Sequence, residues 1–206
     1  MNKLDKILLS VEKPARYIGG EYNAPAADWK KLNYCICFPD VYEVGMSNLG
    51  IRIVAESLRT VDGVYVDRAF APWRDYGEQL KKSDIPLYAL STKRPLKDFD
   101  MIGFSLGFEM CYTTVLYMLD LAKIPLRSAD RGEEYPIIQA GGPCAVNPEP
   151  MAPFFDLFVI GDGEEVMAEL AKLKLATKTK KEFLKKASEL DGVYVPALME
   201  VKYSDN

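Results

Sequence analysis

Two glycine-rich turns hold the residues of this sequence best suited to contact a ligand. The first, Gly141-Gly142-Pro143-Cys144, follows the apolar run at 136–140. The second, Gly161-Asp162-Gly163-Glu164-Glu165, follows the apolar run at 155–160. Glycine tolerates positive φ and lets a backbone approach a bound group closely. In an open parallel sheet, ligands lie beyond the carboxyl ends of the strands. Two such turns on consecutive strands therefore predict a small-molecule crevice. Neither turn has the spacing of a phosphate-binding P-loop or of a G-x-G-x-x-G dinucleotide loop. Asp162 and Glu165 have the spacing of a helix capping box, which leaves Glu164 as the ligand candidate.

Other predicted strand ends add to this ring. The segment 39–50 carries Pro39, Asp40, Gly45 and Ser47. It is long for a strand-to-helix connection, which usually takes about 2–6 residues, and extra length there suggests ligand contact. Ser105 and the amides near Gly107 could hydrogen-bond a ligand edge. The loop at 141–150 contains three prolines and keeps a fixed shape, which favours binding over catalysis by motion. Histidine is absent. The usual zinc ligand, general base and axial cobalt or haem ligand are therefore missing, and a serine–histidine triad is impossible within this chain. Of the four cysteines, Cys35 and Cys37 are read as alternating across a strand, on opposite faces, unable to chelate one metal together. Cys111 and Cys144 are read as structural. No metal site and no free-standing catalytic constellation are predicted.

The elements that must position these loops alternate. Strands are expected at 34–38, 64–70, 100–106, 136–140 and 155–160. Helices are expected from Ser47 to Leu58, from Pro72 with Trp73, Tyr76 and Leu80 as its apolar stripe, from Cys111 to Ala122, and from Asp162 to Leu175. Ser47 or Asn48 would cap the first. About five β–α units imply a doubly wound, mostly parallel sheet in a flavodoxin-like (Rossmann-like) three-layer sandwich. Residues 1–32 are read as an extension that packs on the core through Tyr17, Ile18 and Tyr22, ahead of an α/β domain at 33–175. Residues 176–206 are read as a helix and a strand leaving that domain toward a further part of a longer protein. The stretch 171–190 holds seven lysines and two acids, read as a solvated helix face.

The chain has 206 residues, 49% of them hydrophobic, and a net charge of −4. A chain of this length buries roughly 70% of its unfolded surface and needs no disulfide or metal to fold. Mild acidity argues against nucleic acid as the main partner. No apolar run approaches the roughly 18 residues of a membrane span, and no signal peptide is evident, so a cytoplasmic location is expected.

Taken together the loops resemble the N-terminal cobalamin-binding-type domain of radical SAM (Fe–S oxidoreductase) proteins. Gly141-Gly142-Pro143 with Pro148-Glu149, and Gly161-Asp162-Gly163-Glu164-Glu165, are similar to that family's turns after its fourth and fifth strands. Phe38-Pro39-Asp40, Gly45-Met46-Ser47 and Gly50 resemble the first loop of one uncharacterised branch, as do the segments 13–21, 70–73 and 94–100. The resemblance implies an accessory domain joined to a radical SAM barrel in the same chain, which would hold a [4Fe–4S] cluster on a C-x-x-x-C-x-x-C motif and bind S-adenosylmethionine. No such motif occurs here. It also implies a corrinoid over Pro39–Ser47 and Ser105–Gly107, with its tail passing Gly141-Gly142 and Gly161–Gly163. The D-x-H-x-x-G motif of cobalamin domains of the mutase and methionine-synthase type, whose histidine many radical SAM relatives also lack, is not kept: Gly45 and Ser47 stand at the acid and histidine positions. Cobalamin would have to be held without a histidine ligand. The alternative is a cofactor-free domain that positions the barrel. A flavin or nucleotide site on the same fold, and independent catalysis, are the remaining readings.

Overall fold

The structure is a computed structural model describing residues 3–22, 24 and 28–200. Two short helices come first, α1 (Lys3–Leu8) and α2 (Ala15–Ile18). β1 (Leu32–Phe38) follows, with all seven residues buried. Its sequence shows no alternation of apolar and polar residues, because a parallel strand is covered by helices on both faces. The chain continues through α3 (Tyr42–Ser47), α4 (Leu49–Arg59), β2 (Val64–Phe70), α5 (Arg74–Ser83) and β3 (Met101–Ser105). It then forms α6 (Tyr112–Leu121), β4 (Ile137–Gly141), β5 (Leu157–Val159), α7 (Glu164–Ala176), α8 (Lys180–Ala187) and β6 (Val193–Tyr194).

The sheet order is β2-β1-β3-β4-β5-β6. The first five strands are parallel and β6 runs antiparallel to β5. This is the flavodoxin-like winding expected, with one added edge strand. On one face of the sheet, Cys35, Cys37, Ile102 and Phe104 pack with Tyr76 and Leu80 of α5 and Val115 and Met118 of α6. On the other, Tyr34, Ile36, Met101 and Leu157 pack with Ile51 and Leu58 of α4, Met167 of α7 and Phe183 of α8.

Several local expectations change. Cys35 and Cys37 share a face rather than opposing one another, because residues two apart in a strand point the same way. The segment after β1 is not an extended loop: α3 occupies it, and α4 begins at Leu49, not Ser47. Asn48 caps α4, its side chain accepting a hydrogen bond from the Ile51 amide at 3.1 Å. α5 begins at Arg74, two residues past Pro72, so Trp73 precedes the helix and is 52% exposed while Tyr76 and Leu80 are buried. The capping box does not form: Gly163, which has no side chain, is the cap of α7.

In the N-terminal extension Tyr17 is buried and stacks on Tyr76, with ring centroids 3.8 Å apart, whereas Ile18 and Tyr22 are exposed. The final strand does not leave the domain but pairs with β5 as β6. The strand expected at 198–203 starts in a 3₁₀ turn, Pro196–Leu198, and its residues 201–203 lie outside the described residues. Among the described residues no helix is long and apolar enough to cross a membrane.

Candidate functional site

Parallel winding brings the ends of β1 to β5 to one edge of the sheet. The strand order reverses direction between β1 and β3, the point where doubly wound sheets open a crevice. A cleft of about 690 Å³ lies there. Pro39, Asp40 and Val41 enter it after β1, and Ala71, Pro72 and Trp73 after β2. Phe108, Met110 and Cys111 enter after β3. α5 contributes Arg74, Gly77, Glu78 and Lys81, and α6 contributes Thr114 and Tyr117.

Close packing shapes the base of the cleft. A Cβ on Gly77 would overlap the Tyr117 hydroxyl, so α5 and α6 approach there only because residue 77 has no side chain. Burial raises the Tyr117 phenol above the usual tyrosine value, and burial likewise raises the Cys111 thiol. Cys111 therefore remains a thiol near neutral pH, the less nucleophilic form. The rim cations are paired: Arg74 with Glu78 at 3.2 Å and Lys81 with Asp120 at 2.7 Å. Arg16 bonds Glu43 at 2.8 Å and lies 5.5 Å from the Trp73 ring centroid. Asp40 is held by local bonds: Oδ1 accepts from the Val41 amide at 2.7 Å, and its main-chain carbonyl accepts from the Ala71 amide at 2.9 Å.

Of the expected site residues, only Pro39 and Asp40 line this cleft. Gly45 is buried in α3, where an added Cβ would enter the Phe70 ring, and the Ser47 hydroxyl donates to the Val44 carbonyl. Ser105 ends β3 in register with Gly141. Gly107 and Gly161 face open space. Gly142 has φ +98°, which favours glycine, and a Cβ there would lie 3.0 Å from the Leu106 carbonyl oxygen. Pro143 opens a 3₁₀ turn running to Val146. Glu164 starts α7 exposed, its carbonyl accepting from the Ser57 hydroxyl.

These positions decide whether a corrinoid tail fits the route expected for it. The Leu106 amide donates to the Gly141 carbonyl at 2.7 Å, and the Cys144 amide donates to the Leu106 carbonyl at 3.0 Å. The loops after β3 and β4 are thus sealed backbone to backbone. Beside Gly163, Val54 of α4 stands 3.5 Å from where a Cβ would be, and the Ser57–Glu164 bond draws α4 onto α7. Packing therefore closes that route at Gly142 and leaves it open at Gly161. Among the described residues no group of three histidine, cysteine or acidic side chains could hold a metal ion.

Trp73, Phe108, Met110, Thr114 and Tyr117 were not singled out as site residues. Trp73, Phe108 and Met110 had a signal, being large apolar residues shortly past predicted strand ends; Thr114 and Tyr117 lie within α6 and had none.

Fold and strand-end crevice together define a Rossmann-like α/β domain. The family model for the N-terminal region of radical SAM proteins matches residues 50–196, and the chain belongs to that family. It is similar to the protein named "Uncharacterized protein MJ0966" of Methanocaldococcus jannaschii, with 28% identity over 142 residues. That match covers 67% of this chain and 26% of the relative, so the chain spans about a quarter of the length of the curated relative it matches.

Proposed function

We propose that this chain is an accessory domain that seats the radical SAM catalytic domain of the same protein on the carboxyl edge of its sheet, without a corrinoid. One observation carries the reading. Each of the five parallel strands is followed by an exposed large apolar side chain at that edge: Val44, Trp73, Phe108 with Met110, Val146 and Ile160. Exposed apolar groups gathered on one side of a soluble domain mark an interaction surface. Family membership supplies the partner. Iron–sulfur and S-adenosylmethionine chemistry belong, in this reading, to the catalytic domain, while this chain fixes the orientation of that domain and covers one side of it.

The test separates the two parts. This chain and the remaining polypeptide are produced apart and their association is measured by calorimetry, with Val44→Asp and Val146→Asp as variants. Central apolar contacts at an interface carry roughly 2 kcal/mol or more each, so the double variant is expected to weaken association at least tenfold with no loss of thermal stability. Unchanged association would sink the docking reading. Hydroxocobalamin is titrated in parallel, and saturable binding at micromolar affinity would replace this reading with a corrinoid carrier.

A further inference from the structure

The cleft between the ends of β1, β2 and β3 has a charge pattern that the docking reading does not use. Its lining is predominantly apolar, with three aromatic side chains, Trp73, Phe108 and Tyr117. Four lining residues are charged: Asp40, Arg74, Glu78 and Lys81. Arg74 and Glu78 neutralise one another at 3.2 Å, and Lys81 is neutralised by Asp120 at 2.7 Å. Among the described residues, that leaves the Asp40 carboxylate as the lining charge with no ion pair. Its Oδ1 receives the Val41 amide.

Arg16 and Lys81 already lie 5.5 and 5.7 Å from the ring centroids of Trp73 and Tyr117, so Asp40 and Phe108 are the groups left to select for a cation. Aromatic rings attract ammonium groups through their negative faces, and a carboxylate adds a charge-assisted hydrogen bond. The apolar surfaces of Pro39, Pro72 and Met110 call for an apolar body behind that head group. At about 690 Å³ the cleft lies within the range of small-molecule sites. We infer that this cleft binds a protonated primary amine carried on an aromatic or comparably apolar body, with Asp40 taking the ammonium group. The inference shares Trp73, Phe108 and Met110 with the docking reading, but its test does not, because amine selectivity is read on this chain alone.

The test is a calorimetric titration of the 206-residue chain at pH 7 with three probes of matched shape: phenethylamine, 2-phenylethanol and 3-phenylpropanoate. Phenethylamine is expected to bind at least tenfold more tightly than the alcohol, the size of one charge-assisted hydrogen bond, and the carboxylate is expected to bind weakest. Asp40→Asn should bring the amine down to the affinity of the alcohol and leave the alcohol unchanged. Trp73→Ala should weaken both. Equal affinity of wild-type protein for amine and alcohol overturns the inference without reference to any variant. So does an amine preference that survives in a folded Asp40→Asn protein, or no saturable binding of the amine up to about 10 mM, the limit of meaningful site affinity.

Discussion

Gly45 shows what a glycine in a sequence does and does not say. Read along the chain, it sits in a loop suited to a ligand. In the fold it is the point where α3 lies against Phe70 and Phe38, and an added Cβ would enter the Phe70 ring. The residue type revealed that a side chain has no room, but not what takes the room. Gly45→Ala is expected to destabilise the domain by about 1–3 kcal/mol through overpacking, read as a lower urea midpoint at unchanged slope. A midpoint equal to wild type would mean that Phe70 can move aside freely. Asp67 makes the complementary point. It passes in the sequence as an odd polar residue in a strand. In the structure it is fully buried and accepts from the amides of Ser91 and Thr92 at 3.0 and 2.9 Å and from the Thr92 hydroxyl at 2.8 Å, fixing that turn on β2.

Residues 176–206, which hold α8 and β6, were read as a helix and a strand leaving the domain. Their attachment depends on residues far away in the chain. Asp156, just before β5, accepts from the Ile138 amide at 2.7 Å, faces Arg131 at 3.4 Å and pairs with Lys180, at the start of α8, at 3.0 Å. Arg131 also donates to the carbonyls of Pro125, Leu126 and Phe154. With Phe183 and Val195 buried, this network makes α8 and β6 part of the core layer. Asp156→Asn leaves the buried Arg131 without its counter-charge and is expected to cost roughly 3–5 kcal/mol, measured by chemical denaturation. A loss below about 1 kcal/mol, the level of a surface pair, would show that the network does not hold the element. No local pattern announces such a contact, since its charged members Arg131, Asp156 and Lys180 are 24 or more residues apart in sequence.

At the scale of the whole molecule, tyrosines make up half of the described groups that titrate out of their ordinary range. Burial raises Tyr34, Tyr65, Tyr76 and Tyr88 above the usual value, Tyr88 to about 12, and the hydroxyls of Tyr76 and Tyr88 bond each other. An unfolded tyrosine releases its proton near pH 10, whereas Tyr88 in the fold keeps it to about 12. Between those values the folded state binds more protons, so stability falls as pH rises. Tyr88 alone contributes a loss of about 1.4 kcal/mol per pH unit in that window. Lys93 has the opposite sign: burial lowers its value below 10.5, so its contribution rises with pH up to that point. One lysine against several tyrosines leaves a net alkaline loss. Melting temperature is expected to fall steadily above pH 10, and a flat profile from pH 10 to 12 would contradict this assignment.

The sequence by itself determined the winding. Five apolar runs too uniform for a half-exposed sheet, each followed by an amphipathic segment, admit few arrangements other than a parallel sheet covered on both faces, and the order β2-β1-β3-β4-β5 followed. Of the residues it offered at that edge, Pro39 and Asp40 after β1 line the cleft. Tertiary structure alone decided the rest. Gly45 and Gly163 proved to be contacts between packed elements, while the cleft was completed by Trp73, Phe108 and Tyr117 from three separate segments. The reason is physical. Strand and helix periodicity is local and repeats within a few residues. A cavity is the space left between side chains from distant segments, and it is fixed only when the helices settle on the sheet.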